Sequence, residues 1–257
     1  TEICTLSLHD ALPIFDSIYA NTTYTAQFGS PIQDVEITDS WDTIIAKIDN
    51  GTYKTAYKIG NYKPLDLGTE GIINMQIVAI DEDDLASGGK APLTFIGKEL
   101  LATTHRMNTT RVTTGGWEST NMRAYLSSTI YPLIPSTISS RIQSVSKIQN
   151  TYDSGVVKDG QTTTDKLWIP NMREVGGANN LSETQGANYG KVYKTNESRI
   201  KKVGANNGYW SLRSASTGRG FNVVSETGNA TGQLYADDTG NGVCLGFCLG
   251  LETETII

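Results

Sequence analysis

The chain has 257 residues, of which 38% are hydrophobic and 19% are charged, and its 21 basic and 27 acidic residues give a net charge of −6. This composition is typical of one sizeable globular domain or two small ones and is unfavourable for a disordered chain. No basic run could neutralise a row of phosphates, so we expect no nucleic-acid partner. The longest apolar stretch, residues 71–80, is far shorter than the roughly 20 residues of a membrane-spanning helix, so we expect no membrane insertion.

The N-terminus does not have the pattern of a signal peptide, because residues 1–14 lack a basic start, an apolar core and a small-residue cleavage site. The codons of a common sequencing-library adaptor translate into residues 5–14 without a mismatch, and Cys4 is the one departure upstream of them. We therefore interpret residues 1–14 as a translated adaptor. Residues 15–37 are expected to be a leader or linker, 38–251 one domain and 252–257 a tail.

Helix and strand signals alternate at the start of the domain. Apolar residues recur at helical spacing from Trp41 to Ile48 after the capping residue Ser40, which predicts a short amphipathic helix. Residues 52–59 and 63–67 are expected to be paired strands, and 71–80 a buried strand of the same antiparallel meander.

The middle of the domain predicts two more helices, one carrying apolar residues up to Ile130 and capped by Ser119 or Thr120, and one over residues 136–145. Asn171 and Glu174 have the spacing of a capping box and predict a further short helix. After Gly176 the chain becomes rich in Gly, Asn, Ser and Thr, with short strands predicted at residues 209–213, 221–225 and 243–249. This order of elements predicts an α+β domain with its helices early and its long irregular loops late.

Few residues are arranged for catalysis. His105 is the one histidine outside the first fourteen residues, and no HExxH, GxSxG or P-loop motif accompanies it, so we expect it to be structural. The acidic run 81–84 resembles the start of a calcium loop, but Leu85 and Pro92 occupy positions where an EF-hand needs oxygen ligands. We expect this run to be a solvated loop and predict no metal and no cofactor.

Cys244 and Cys248 lie four residues apart in a segment expected to be extended, which separates them by about 13 Å, too far for a disulfide. Two buried thiols are the simple interpretation, and a redox or copper-binding pair is the alternative. The arginines Arg123, Arg173 and Arg213 are expected to form buried ion pairs with Glu118 or Glu174.

Residues 204–242 form the most informative segment, because 29 of its 39 residues are Gly, Ala, Asn, Asp, Ser, Thr or Tyr. Adaptable polar residues with a few rigid aromatics are the mixture that binding surfaces use, although a plain loop-rich β region has the same composition. The candidate contact residues are Tyr209, Trp210, Asn222, Asn229, Tyr235, Asp237 and Asp238.

Several short motifs occur in a recognisable order. They are Trp41, 57–60 (Tyr-Lys-Ile-Gly), 105–108 (His-Arg-Met-Asn), 115–119 (Gly-Gly-Trp-Glu-Ser), 168–170 (Trp-Ile-Pro), 209–214 (Tyr-Trp-Ser-Leu-Arg-Ser) and 246–249 (Gly-Phe-Cys-Leu). Over residues 38–250 the chain resembles an uncharacterised domain family of bacterial surface proteins and phages, related in fold to C-type-lectin-like and formylglycine-generating-enzyme-like domains. The resemblance implies a C-type-lectin-like α+β fold with early helices, small antiparallel sheets and long irregular loops.

The resemblance also implies a function. We expect a non-enzymatic recognition module, an adhesin or receptor-binding domain on a bacterial surface or phage tail, that binds a surface glycan or protein and can form homo-oligomers on a phage fibre. The Glu-Pro-Asn and Trp-Asn-Asp motifs of calcium-dependent lectins do not occur. The alternatives are a copper-dependent thiol oxidase of formylglycine-generating type that uses Cys244 and Cys248, and a structural surface domain without a ligand.

Overall fold

The computed structural model describes residue 32 and residues 34–176 and 183–251. The interpretation of residues 1–14 as an adaptor and of 252–257 as a tail concerns residues outside these ranges, as does most of the expected leader 15–37. Among the described residues, none of the helices has the length and apolarity needed to cross a membrane.

The helices are short. They are α1 (Trp41–Asp49), α2 (Tyr53–Ala56), α3 (Asn121–Tyr125), α4 (Ser136–Ser139) and α5 (Asn196–Arg199). Short 3₁₀ helices lie at Gly68–Glu70, Gly116–Ser119 and Tyr131–Leu133, and a short π-helix lies at Leu126–Ile130. The predicted first helix is confirmed in α1. The hydroxyl oxygen of Ser40 accepts a hydrogen bond from the Thr43 amide at 3.1 Å, and Ile44, Ile45 and Ile48 are buried on one side.

The strands form small antiparallel sheets. They are β1 (Tyr62–Asp66), β2 (Ile72–Ile80), β3 (Leu93–Gly97), β4 (Val145–Asp153), β5 (Val156–Asp165), β6 (Leu167–Trp168), β7 (Lys202–Val203), β8 (Asn206–Asn207), β9 (Trp210–Thr217), β10 (Gly220–Val224), β11 (Gly232–Tyr235) and β12 (Gly246–Leu249). One sheet has the order β1-β2-β3-β12-β6, a second has β11-β10-β9, and β4-β5 and β7-β8 are two-stranded. The described chain is thus a mixed α/β fold with few helices.

The structure differs from the prediction at two elements. The strand expected over residues 52–59 is wrong, because Gly51, at φ +74°, turns the chain straight from α1 into the helical turn α2. β1 therefore pairs with β2 and, at Tyr62, with a short bridge at Glu36. The helix expected over 136–145 ends at Ser139, because Val145 pairs with Asp165 at the start of a long hairpin, β4–β5, that the helical spacing concealed.

The predicted capping box is present without its helix. The Asn171 amide donates to Glu174 at 2.9 Å and the Glu174 amide donates to Asn171 at 2.7 Å, but residues 172–176 form turns. The two hydrogen bonds close this turn over the core and aim the Glu174 carboxylate inward, where it is fully buried.

An ion network crosses the buried core. Lys147 Nζ lies 2.5 Å from Asp83 and 3.0 Å from Glu174, and Arg213 lies 2.7 Å from Glu174. The buried pair of Arg213 with Glu174 confirms one sequence expectation. The solvated loop expected at residues 81–84 is wrong at Asp83, which is 2% exposed because Lys147, Thr94 and Tyr189 all bind its carboxylate.

Arg123 also differs from expectation. It pairs with Asp165 at 2.5 Å, and it reaches Glu118 only through a hydrogen bond to the backbone carbonyl. Trp117 supports the same aspartate by donating its indole N–H to it at 3.1 Å. The pair therefore fastens α3 and the Gly116–Ser119 turn to the end of β5.

Candidate ligand-binding surface

Two of the predicted contact residues are buried. The Trp210 indole is fully buried and donates its N–H to the Arg199 carbonyl at 3.2 Å. Asn222 lies inside β10 and is 5% exposed. Residues 210–215 of β9 and all of β10 are buried, so the polar residues among them are enclosed and do not face solvent. We therefore remove Trp210 and Asn222 from the set of contact residues.

The other candidates are divided between the two ends of the β9–β11 sheet. Tyr209 and the Asn229 turn lie at the end where Trp210 pairs with Val224. Tyr235 lies at the opposite end, where Gly220 pairs with it and with Thr217. The length of β9 puts these ends roughly 20 Å apart. The seven residues therefore do not form one site.

The Asn229 side chain serves its own turn. Its oxygen accepts hydrogen bonds from the amide and the hydroxyl of Thr231, at 3.0 and 2.8 Å. Asp238 is likewise engaged, since its carboxylate accepts the Gly240 amide at 2.9 Å. Tyr235 and Asp237 remain, and both contact one partner that the sequence analysis did not predict.

That partner is Arg111. Its Nε donates to both carboxylate oxygens of Asp237, at 3.1 and 3.3 Å, and its guanidinium carbon lies 4.0 Å from the centre of the Tyr235 ring. The Tyr235 side chain remains 51% exposed. We call Arg111, Tyr235 and Asp237 the Tyr235 rim.

Backbone hydrogen bonds hold this rim in place. The Asn108 amide donates to the Ala236 carbonyl at 2.7 Å, and the Ala236 amide donates to the Arg219 carbonyl at 2.9 Å. The segment that carries Arg111 is thereby fixed alongside the residues that follow β11, and the β9–β10 turn is fixed on the other side.

One hollow lies at the rim, and a second lies next to the first. One, of about 240 Å³, is lined by Thr217, Gly220, Gln233, Leu234 and Tyr235. The next, of about 390 Å³, is lined by Thr113, Thr114, Gly115, Thr151, Tyr152, Asp153, Ser154, Gln161 and Gly218. Thr113 joins them by donating its hydroxyl to the Thr217 carbonyl at 2.6 Å. Hydroxyl, amide and aromatic groups dominate both linings, and such groups bind neutral polar ligands.

A larger hollow, of about 650 Å³, lies beside α3. Its wall contains Arg123, whose nitrogens bind Asp165 and the carbonyls of Glu118 and Thr164. Because Arg123 makes these bonds within the fold, we assign this wall a structural role. None of the predicted contact residues lines it.

Of the reactive side chains, Cys244 and Cys248 are fully buried and His105 is half-buried. Burial lowers the pKa of His105, which stacks on Tyr125 at 4.1 Å and places Nδ1 2.7 Å from the Arg106 carbonyl. Burial raises the pKa of the Cys244 thiol to about 11 and that of Cys248 further still. Among residues 34–176 and 183–251, no three His, Cys, Asp or Glu side chains are placed to hold a metal ion.

The two thiols also lie apart. Cys244 contacts the Gly97 carbonyl at 3.8 Å, and Cys248 lies 3.4 Å from the Thr94 hydroxyl. Gly97 and Thr94 are three positions apart on β3, a separation of about 10 Å. No observation in the described chain therefore favours a shared copper ion.

The described chain is a mixed α/β domain with several open hollows on its surface. The chain belongs to the family DUF6273, described as a domain of unknown function, whose model matches residues 93–249. The match begins and ends on two residues that pair with each other, Leu93 in β3 and Leu249 in β12. No curated protein and no solved structure matches the chain.

Proposed function

We propose that this protein is a non-enzymatic recognition module that binds a surface glycan or protein at the Tyr235 rim. The observation that carries the proposal is the half-exposed Tyr235 ring, which Arg111 and Asp237 hold at the edge of a hollow that the ring itself lines. A rigid aromatic side chain supplies contact area at low entropic cost, and neighbouring hydroxyl and amide groups supply adaptable hydrogen bonds.

The proposal includes a C-type-lectin-like arrangement. Support comes from the pairing of β3 with β12, which closes the matched region, and from the irregular segments and small sheets between them. Display on a bacterial surface or phage tail would bring several copies together, and avidity would strengthen weak single-site binding. Fold by itself does not establish function, so the proposal depends on the rim.

A pair of tyrosine variants tests the placement. Tyr209 is 40% exposed and lies at the far end of the β9–β11 sheet, so it is a matched control for Tyr235. The full chain and both variants are applied to an array of bacterial surface polysaccharides and to immobilised bacterial cells. We expect Tyr235→Ala to weaken the observed binding at least about tenfold, equivalent to about 1.4 kcal/mol.

Tyr209→Ala is expected to bind like the parent chain. Circular dichroism and thermal unfolding establish that both variants are folded. Equal binding by Tyr235→Ala and the parent chain, or no binding by the parent chain to any glycan or cell, would contradict the proposal.

A further inference from the structure

Arg111 is held in one orientation on the protein surface. Asp237 binds its Nε, and the Tyr235 ring supports the flat face of its guanidinium at 4.0 Å. The Arg111 side chain is nevertheless 51% exposed. No described residue accepts a hydrogen bond from its two terminal amino groups, Nη1 and Nη2. The protein therefore orients this group while leaving its two terminal amino groups to solvent.

The backbone of a second arginine, Arg219, adjoins the same rim. Arg219 is exposed in the β9–β10 turn, and its carbonyl accepts the amide of Ala236, the residue between Tyr235 and Asp237. Its side chain pairs with no carboxylate in the described chain. The nearby acids are engaged, because Asp237 binds Arg111 Nε and Asp238 accepts the Gly240 amide.

The geometry of a guanidinium indicates what such donors bind. Its terminal N–H groups match the two oxygens of a carboxylate or a phosphate and form two parallel charge-assisted hydrogen bonds. A lysine ammonium is a point charge without this match. The adjoining hollow, which contains Thr217, Gln233 and the Tyr235 ring, has room for the neutral part of the same ligand.

On the basis of the proposed recognition function, we infer that the Tyr235 rim binds an oxyanion group of an acidic surface polymer, with Arg111 as its bidentate donor. Either a carboxylate of an acidic sugar or a phosphodiester has this chemistry. Arg111 determines specificity, and Tyr235 and the hollow contact the uncharged part of the chain.

Calorimetry of the full chain with three oligomers of equal length tests this inference. The probes are galacturonic acid oligomers for the carboxylate, glycerol phosphate oligomers for the phosphate, and galactose oligomers as the neutral reference. We expect at least one acidic probe to bind ten times more tightly than the neutral one, and its affinity to fall as salt is raised. The acidic probe that binds identifies the source of the oxyanion.

Arg111→Lys keeps the charge but loses the paired donors, and is expected to weaken binding of the acidic probe about tenfold relative to binding of the neutral one. Arg173→Lys is the matched control, because Arg173 bonds the Gly186 carbonyl away from the rim. Acidic binding that Arg111→Lys leaves intact, or no binding by either acidic probe, overturns the inference. Equal binding of acidic and neutral oligomers that depends on Tyr235 also overturns it, yet supports the recognition function.

Discussion

The ammonium of Lys147 is buried in the core, and its neighbours satisfy its hydrogen bonds. Its ammonium donates to Asp83, Glu174 and the Tyr189 hydroxyl, and it lies 3.4 Å from the centre of the Trp168 ring. A buried charge is costly unless partners satisfy its hydrogen bonds, and this arrangement supplies all three acceptors. The network therefore requires every member to be present.

Glu174 provides the sharpest test of that requirement. Burial raises its pKa, but the charges of Arg213 and Lys147 outweigh burial and hold the pKa at about 2. We expect Glu174→Gln to lower the free energy of unfolding by about 3–5 kcal/mol, because it leaves two buried cations with one carboxylate, Asp83. Urea denaturation at pH 7 measures the loss.

Asp153→Asn is the matched control for Glu174→Gln. Asp153 pairs with Lys158 at 2.5 Å, but both side chains are more than half exposed. A surface pair contributes at most about 1 kcal/mol. Equal losses of unfolding free energy in the two variants would show that the buried network contributes no more to stability than a surface ion pair.

The contribution of another buried glutamate, Glu183, to stability depends on pH in the opposite sense. Its carboxylate accepts hydrogen bonds from the Asn150 amide, the Ser214 hydroxyl and the Arg173 amide, but burial still raises its pKa. A raised folded-state pKa means that ionisation costs stability as pH rises above the unfolded value of 4.5.

Glu183→Gln removes this ionisation. We expect the stability of Glu183→Gln relative to the parent chain to increase as pH is raised from about 4 to 7. Urea denaturation at four pH values in this range provides the measurement. A stability difference that stays constant or decreases with pH would contradict the burial assigned to this carboxylate.

At the scale of elements, β12 depends on one glycine. β12 lies between β3 and β6, and a Cβ on Gly246 would lie 2.6 Å from the buried Trp168 ring. Because that ring is enclosed by the core and by Lys147, it has little room to move. Glycine is required at position 246 because the Trp168 ring leaves no room for a Cβ.

We expect Gly246→Ala to destabilise the protein by about 1–3 kcal/mol, the usual cost of overpacking a core. Gly232→Ala is the control, since its Cβ would meet Val223 at an ordinary 3.4 Å on the edge strand β11. Thermal unfolding of both variants compares the two sites. A control as unstable as Gly246→Ala would mean that strand propensity, not the Trp168 contact, determines the loss.

At the scale of the molecule, the labelling rate of the two buried thiols measures how often the core opens. Cys244 and Cys248 are fully buried, and a thiol with a pKa of about 11 is ionised to about one part in a thousand at pH 8. In a Cys4→Ser variant, we expect a thiol reagent to label both residues only at the rate of unfolding, and rapidly in denaturant. Fast labelling of one cysteine in buffer would show instead that its segment opens locally.

Local signals were sufficient for some elements and insufficient for others. α1 was predictable because its cap and its isoleucines lie within one short segment. The β4–β5 hairpin was not, because Ile138, Ile142 and Val145 have helical spacing and pairing with β5 decides the outcome at Val145. The burial of Asp83 was not predictable for a similar reason, because the lysine that binds it is 64 residues away.

The amino-acid sequence by itself determined an acidic mixed α/β chain whose second half is rich in glycine and asparagine and contains several tyrosines and aspartates. Tertiary structure alone decided which of these residues are accessible. It enclosed Trp210 and Asn222 and brought Arg111 to Asp237 across 126 positions. The physical reason is that burial and charge pairing depend on contacts between distant segments, which no local pattern encodes.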